Sequence, residues 1–465
     1  MKKTVRGPRR LKAQVPPLVA RDDAAGVDLG ATLVTAALPP SRAGLTVRTF
    51  ATFTPDLQAL VAWFQENGIR TVAMEATSVY WIPLYTMFED AGIEVCLVNA
   101  RHLKNVPGRK TDVADAQWLQ QLHAVGLLHA SFHPPVAIRR LRTLWRQRDS
   151  LVREAARQVQ LMHKALDQMN LHVHHVLSDL MGESGSRMVA AILAGERDAT
   201  TLARLRDHRV KASEATLIKA LTGDYRPEYL FCLQQAHDSY THFQTQISSC
   251  DREIEAALAQ LEAVTDAPAP APARVTQGKK DKTARKDAHQ PKFDLRTQLY
   301  RICGVDLTAV PGINLGVATT VVAEVGPKLT GFATSKRFCS WLRVAPDPRV
   351  SGGQVIGGKV PRGSPRAARA FRLAAHSLHS SHSPLGDIFR RFRAKLGAAA
   401  AITALAHKLA RIVYHMLTTR EPYDETKVLA TTENYRLRQE ASLRKRARSL
   451  GYQIVPIQPT INAVP

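Results

Sequence analysis

Four acidic residues have the type and spacing of a site for divalent metal ions. Asp28 lies in a predicted strand and Glu75 at the end of a later one, whereas Asp112 and Asp115 follow Thr111, a predicted helix cap. Residues three apart share a helix face, and like charges this close repel unless a cation lies between them. Such a set could hold two Mg²⁺ ions for phosphodiester chemistry. Each acid alone also fits a surface or capping role, so spacing alone leaves the metal site open.

A serine beside two glycines is the second candidate for chemistry. Ser351 precedes Gly352-Gly353, where little bulk shields the hydroxyl and the backbone can approach a phosphate. Ser364 has a similar setting between Gly363 and a proline. From the residues alone, a loop serine that bonds to its own turn is the favoured explanation. Composition therefore does not decide which serine, if either, is a nucleophile.

The charge of the chain predicts a polyanionic partner. The 465 residues have a net charge of +24 and a pI near 10.2, which favours nucleic acid. No apolar run reaches the roughly 18 residues of a membrane span, and no signal peptide is evident. We expect a cytoplasmic protein without a membrane partner. The five cysteines form no Cys-x-x-Cys pair, so neither a disulfide framework nor a zinc site is indicated.

Basic residues concentrate in the C-terminal part of the chain. Between Lys359 and Arg411 there are eleven Lys or Arg residues and one acid, Asp387. Such an excess predicts contact with phosphates. The candidate nucleic-acid-binding residues are Arg109, Lys110, Lys359, Arg362, Arg366, Arg369 and Arg372.

The elements around the four acids predict an α/β domain over residues 23–132, after a basic tail at 1–22. Three early strands precede alternating helices and strands, the pattern of a ribonuclease-H-like layer. One of those helices is expected to begin after Thr77 and Ser78, whose hydroxyls suit an N-cap. Residues 26–30 also resemble the first phosphate loop of actin-like kinases, but a matching set of further glycine-rich loops is missing.

Heptad repeats predict a coiled coil over residues 133–263, with a helical insertion at 171–233. Apolar residues recur every seven positions from Ile138 and again from Tyr240, and Arg148 interrupts the first run. Pairing within one chain and pairing between two chains both fit this pattern.

The last part of the chain is predicted to be mainly helical. A proline- and lysine-rich linker at 264–292 leads to a domain at 293–423, and 424–465 are expected to form a disordered basic tail. Residues 307–320 show a helix, Pro-Gly turn, helix pattern typical of a helix-hairpin-helix, whose turn can hold a phosphate. A plain structural turn explains Pro-Gly nearly as well.

These motifs, in this order, resemble the DEDD transposases of bridge-RNA-guided insertion sequences. The resemblance rests on Asp28, Met74–Trp81, Gly108–Ala116, Val310–Ile313 and the run from Phe338 to Ser351-Gly-Gly, with a closing helix at Ala401–Tyr414. It implies a RuvC-like domain that binds Mg²⁺ through Asp28, Glu75, Asp112 and Asp115, a coiled coil, and a C-terminal domain with a nucleophilic serine, Ser351.

The resemblance also implies partners and a reaction. A structured guide RNA would pair with donor and target DNA, and strands would be cut and rejoined through a phosphoserine by dimers that join into a tetramer. Two alternatives remain: an inactive or non-catalytic nucleic-acid-binding protein of the same fold, and a Holliday-junction-type nuclease that uses the carboxylates alone. The sequence identifies neither the DNA sites nor the guide RNA.

Overall fold

A computed structural model of the protein describes residues 21–42, 44–99, 111–270, 290–352, 354–361, 363 and 365–455. The chain divides into two compact units, Met1–His133 and Pro134–Pro465. Most of the predicted tail at 1–22 and of the predicted linker at 264–292 lies outside the described residues. So do four residues named above as candidates: Arg109, Lys110, Arg362 and Ser364.

The first unit contains a five-stranded mixed sheet. Its strands are β1 (Ala24–Leu29), β2 (Leu33–Ala37), β3 (Val47–Ala51), β4 (Thr71–Glu75) and β5 (Glu94–Val98), in the order β3-β2-β1-β4-β5. The first three strands pair antiparallel, whereas β4 is parallel to β1 and β5 is parallel to β4. Together with its helices, this arrangement is compatible with the predicted RuvC-like α/β domain.

Helices cover both faces of this sheet. The helices α1 (Thr54–Glu66) and α2 (Trp81–Asp90) bury Phe64 and Phe88, whose rings stack 5.5 Å apart, in one core with Val27 and Met74. The helix α3 (Asp112–Ala124) packs on the opposite face, where its Leu119 joins a second cluster. Side chains alternate between the faces of a strand, so the residues next to Val27 and Met74 point towards α3.

The second unit begins with a long helical hairpin. The helices α4 (Val136–Gln168) and α9 (Pro227–Ala259) carry the two heptad runs and pack against each other within one chain. Their pairing is antiparallel, because Arg140 near the start of α4 bonds to Gln260 just after α9 at 2.8 Å. Four short helices lie between them: α5 (Val173–Val176), α6 (Glu183–Leu193), α7 (Ala199–Arg204) and α8 (Glu214–Leu221).

The residue that interrupts the first heptad run is part of the seam. Arg148 is buried and its Nε lies 2.5 Å from a carboxylate oxygen of Asp251, which is also buried, on α9. Two desolvated charges are tolerated inside a protein when they pair this closely. At this point of the seam an ion pair therefore replaces an apolar contact. It aligns one residue of α4 with one residue of α9.

Six α-helices and two strands come next along the described part of the second unit, before its last helix. They are α10 (Leu295–Cys303), α11 (Leu315–Val325), α12 (Ser335–Trp341), the hairpin strands β6 (Asp347–Ser351) and β7 (Gln354–Lys359), α13 (Arg366–Ser377), α14 (Pro384–Leu396) and α15 (Ala398–Thr419). Contacts tie them to the helical hairpin, since Trp145 on α4 donates to Thr320 at 3.0 Å and Arg146 binds Glu324 at 2.7 Å.

The end of the chain differs from its prediction. Residues Glu425–Ser449 form the helix α16, where a disordered tail was expected. The carboxylate of Asp424 accepts the backbone N–H of Thr426 at 2.9 Å and caps the helix. Val428 is buried near its start, although the rest of the helix is mostly exposed and charged. Among the described helices, none has the length and apolar character needed to cross a membrane.

Candidate functional site

Two of the predicted acids lie at the carboxyl ends of neighbouring parallel strands. Val27 of β1 stands opposite Met74 of β4, so Asp28 and Glu75 are the next residues on the two strands. Both point to the face that α3 covers, because they alternate with Val27 and Met74, which point to the other core. The sheet register therefore places these two carboxylates side by side.

A glycine on β1 determines how closely α3 approaches this edge. A Cβ atom at Gly26 would lie 2.3 Å from the backbone nitrogen of Gln120 and 2.4 Å from the carbonyl oxygen of Ala116. The Gln120 side chain, which is buried, donates to the carbonyl of Ala24 at 3.1 Å. Helix α3 thus crosses β1 in the opposite direction, and its first turn lies towards Asp28.

The first turn of α3 carries the other two acids. The hydroxyl of Thr111 accepts the backbone N–H of Ala114 at 3.2 Å, as the sequence predicts. Asp112 and Asp115 both belong to this turn, where the helix dipole favours negative charge. Capping therefore defines where α3 starts, and the Gly26 contact defines where it lies.

The four carboxylates influence one another electrostatically. The pKa of Asp28 is raised to about 6, first because the side chain is partly buried and then because Asp112, Asp115 and Glu75 repel its charged form. As the side chains stand in the described residues, no three Asp, Glu, His or Cys groups are arranged to hold a metal ion. The donor set still fits a divalent cation, because oxygen ligands and unrelieved negative charge are what Mg²⁺ needs.

Thr77 is a neighbour of the site whose contact the sequence did not predict. Its hydroxyl donates to a carboxylate oxygen of Glu75 at 2.9 Å instead of capping α2. The cap prediction is wrong for Ser78 too, because α2 begins at Trp81 after Tyr80, without a side-chain cap. A hydroxyl two residues after an acid that ends a strand is the signal that could have indicated this contact.

Ser351 lies at the tip of the β6–β7 hairpin. It ends β6 opposite Gln354 and is exposed. Gly352, the next residue, has φ +54°, a conformation that glycine adopts without strain. The hydroxyl is therefore carried on a tight, exposed turn.

The predicted basic residues fall into different environments. Arg366 binds Asp149 of α4 at 2.8 Å, and Arg372 donates to the carbonyl of Arg343 at 2.9 Å. Arg369 is exposed on α13, and Lys359 is the last residue of β7. Arg366 and Arg372 thus have contacts within the protein, whereas Arg369 is accessible to a partner.

The predicted helix-hairpin-helix is only partly seen. A single turn of 3-10 helix at Leu307–Ala309 precedes the Pro-Gly turn, and α11 follows with Asn314 as its cap. Gly312 has φ +87°, and a Cβ there would lie 2.7 Å from the carbonyl of Ala374. This glycine therefore also allows the turn to pack against α13.

Comparison with known proteins identifies the class of both parts of the chain. Residues 25–171 match the family model DEDD_Tnp_IS110, described as "Transposase", and residues 306–389 match Transposase_20, described as "Transposase IS116/IS110/IS902 family". Two separate regions of the chain are thus similar to transposase domains of the IS110 family.

One curated relative supports the same class. The chain is 26% identical over 142 residues to the protein named "Putative transposase y4pF/y4sB" of Sinorhizobium fredii. The match covers 28% of this chain and 35% of the relative, so it spans about a third of that protein's length.

Proposed function

We propose that this protein is a transposase that cuts and rejoins DNA strands, with Asp28, Glu75, Asp112 and Asp115 as its divalent-metal site. The observation that carries the proposal is the effect of the three other acids on Asp28, whose pKa they help to raise to about 6. Carboxylates that repel one another at the edge of a sheet are what a nucleic-acid-processing metal site requires. The transposase domain over residues 25–171 contains all four.

Mg²⁺ is the metal that we propose. When bound, it supplies stabilisation of the negative charge that develops on the transferring phosphoryl group. Asp28 and Glu75 would hold it from two paired strands, and Asp112 and Asp115 from the first turn of α3. The Thr77 hydroxyl restricts the orientation of the Glu75 carboxylate through their 2.9 Å hydrogen bond.

Ser351 is the proposed nucleophile. Its Oγ would attack the phosphorus of a DNA phosphodiester, forming an Oγ–P bond as the bond to the leaving sugar oxygen breaks. The serine loses a proton and the leaving hydroxyl gains one. Attack of another strand's hydroxyl on the phosphoserine then reverses these changes and rejoins the DNA. The exposed position of Ser351 at the hairpin tip supports this role.

The proposal also includes an RNA partner, DNA partners and further copies of the protein. We propose that a structured guide RNA pairs with donor and target DNA, and that dimers join into a tetramer around them. The net charge of +24 supports binding of several polyanionic strands. Sequencing RNA that co-purifies with the protein tests the guide, which should derive from the non-coding DNA beside the gene. Mass photometry with and without that RNA and DNA tests the assembly.

A trapping experiment tests the serine. Labelled supercoiled plasmid, the flanking RNA and Mg²⁺ are mixed with protein, and the covalently attached peptide is mapped by mass spectrometry. Ser351→Ala should lose the adduct and strand transfer, whereas the control Ser364→Ala should keep both. An adduct that survives Ser351→Ala refutes the assignment. Cleavage that is unaffected by Ser351→Ala indicates a nuclease that uses the carboxylates alone, and binding without any strand cleavage indicates a non-catalytic protein.

A second variant tests the carboxylates. Asp115→Asn keeps the size of the side chain but removes a charge, so strand transfer should be lost while nucleic-acid binding remains. Asp56→Asn is the matched control, because Asp56 is also a first-turn acid, in α1 of the same unit. Equal activity of the two variants would contradict the metal site.

A further inference from the structure

The second unit contains a cavity of about 500 Å³ that the proposed chemistry does not use. It lies between α4, the first turn of α11 and the first turns of α13. Ligand pockets of roughly 300–1,000 Å³ accept small molecules or single building blocks of a polymer. The cavity is therefore large enough for one nucleotide.

One end of this cavity is strongly basic. Arg153 and Arg366 line it, and both bond to the same carboxylate oxygen of Asp149, at 2.9 and 2.8 Å. Arg369 lines it as well, exposed one turn after Arg366. Three guanidinium groups stand against one carboxylate, so the rim has a net positive charge. Because the shared carboxylate holds two of them in place, these two are positioned before any ligand arrives.

The other walls are largely apolar. Trp145 lines the cavity and is only 9% exposed, with its indole N–H donating to Thr320 at 3.0 Å and the Arg148 guanidinium 5.5 Å from its ring centroid. Val152, Leu315 and Leu373 add aliphatic surface, and Leu373 is 66% exposed to solvent. A suitable ligand thus has a flat or apolar part for these walls and an anionic part for the arginines. A nucleotide combines both, because unstacked bases pack on apolar and aromatic side chains while their phosphates bind arginine.

Charge argues against the chain itself as occupant. Residues 271–289, which precede the lining residues Gln290 and Pro291, contain six Lys or Arg and two Asp residues. A second copy of the chain has the same net charge of +24. Both would bring positive charge to a positive rim, which is unfavourable. The complementary partner is a polyanion.

We infer that this cavity binds one unstacked nucleotide of a single-stranded nucleic acid, with the base among Trp145, Val152 and Leu315 and the phosphate on Arg369. The inference rests on the proposed function, which supplies strands that separate during transfer. A regular duplex keeps its bases stacked inside the helix, so it would bind the rim at most. The cavity would therefore distinguish single strands from duplexes.

The test uses fluorescent 15-mers of single-stranded RNA, single-stranded DNA of the same sequence, an abasic strand and a duplex, with binding followed by anisotropy. Gly316→Trp should block the cavity, because Gly316 lines it and a Cβ there meets only the Asn314 side chain, at an ordinary contact distance of 3.6 Å. It should weaken binding of base-containing single strands about tenfold and leave the abasic strand and the duplex unchanged. The two single strands together show whether RNA, DNA or both are accepted.

Arg369→Ala tests the phosphate contact. It should weaken single-strand binding roughly tenfold, the lower range for a hydrogen bond to a charged group. The slope of log K against log salt should fall by about 0.7, as expected for one lost phosphate contact on a single strand. Arg252→Ala is the matched control, because Arg252 is exposed on α9, lies outside the basic run Lys359–Arg411 and does not line the cavity.

Photo-crosslinking locates the base directly. A 15-mer with 4-thiouridine or 4-thiothymidine should attach to peptides of α4, the start of α11 or α13, and Gly316→Trp should remove that product. Wild-type affinity of both Gly316→Trp and Arg369→Ala, or an equal loss in Arg252→Ala, overturns the inference. Failure of the proposed function gives a different result: wild-type protein would bind single strands but would not transfer DNA strands.

Discussion

Gly26→Ala should disable the candidate site without altering any carboxylate. A Cβ at this position would lie 2.3 Å from the backbone nitrogen of Gln120, and Cβ atoms essentially never approach closer than 3.0 Å. Since the obstacle is backbone, α3 has to retreat by about 0.7 Å, the difference between these two distances. That movement carries Asp112 and Asp115 away from Asp28.

Two consequences of this retreat can be estimated. Overpacking a well-packed contact costs about 1–3 kcal/mol of stability. A displacement approaching 1 Å at reacting groups lowers rates by on the order of 100-fold, because orientation is lost. Strand transfer should therefore fall about 100-fold in Gly26→Ala. The repulsion that raises the pKa of Asp28 should weaken at the same time.

Gly92→Ala is the control for general loss of stability. Gly92 has φ +73° after α2, and a Cβ there meets nothing within 4 Å. Its cost is backbone strain of about 1–2 kcal/mol, with no displacement of α3. Thermal unfolding measures the loss of stability in both variants. Strand transfer on a plasmid, assayed well below the unfolding temperature, then measures the loss of activity. Equal activity of the variants, at matched loss of stability, would refute the argument that α3 positions the acids.

Three further predictions concern other contacts. Asp251→Ala should destabilise the second unit by about 3–5 kcal/mol, because it leaves Arg148 charged and buried. In urea unfolding, the double variant Arg148→Met/Asp251→Leu should be nearly as stable as wild type. A small loss of stability in Asp251→Ala would contradict this prediction. Without divalent cations, stability should fall as pH rises from about 4 to about 6, since folded Asp28 keeps its proton to about pH 6 and the unfolded chain does not. Asp28→Asn should lose that pH dependence. Mn²⁺ should raise the melting temperature of wild type at pH 7.5 but not at pH 5. If stability depends on pH in the same way in Asp28→Asn and in wild type, the raised pKa of Asp28 is contradicted. Thr77→Val should raise the Mg²⁺ concentration needed for strand transfer by freeing the Glu75 carboxylate, and an unchanged requirement would show that their hydrogen bond does not matter.

Local signals predicted the elements of the first unit well. The strands around Asp28 and Glu75 and the helix that begins after Thr111 appear close to their predicted bounds. Short apolar runs, glycine stops and a capping hydroxyl are sufficient for this, because each acts on neighbouring residues. The predicted Thr77 cap failed because its hydroxyl donates to the Glu75 carboxylate, a contact that propensity does not reveal. Ser78 is not a cap because α2 begins at Trp81, after Tyr80.

Periodicity was less informative where charges are involved. Arg148 reads as a defect in a heptad, and only its pairing with Asp251 explains why it is buried. The last described helix, Glu425–Ser449, was missed because its charged residues indicate a solvated tail. An Asp424 cap and ion pairs such as Arg444 with Glu440, at 2.6 Å, accompany the helix instead.

The sequence by itself identified the candidate side chains for chemistry: the acids, the serine before two glycines, and the basic run. Only the tertiary structure decided which of them meet. Asp28 and Glu75 are neighbours because β1 and β4 pair in parallel, and α3 brings Asp112 and Asp115 towards them because Gly26 has no side chain. The cavity beside Arg369 likewise exists only where α4, α11 and α13 converge. Strand register and backbone contacts join residues far apart along the chain, which local sequence patterns do not encode.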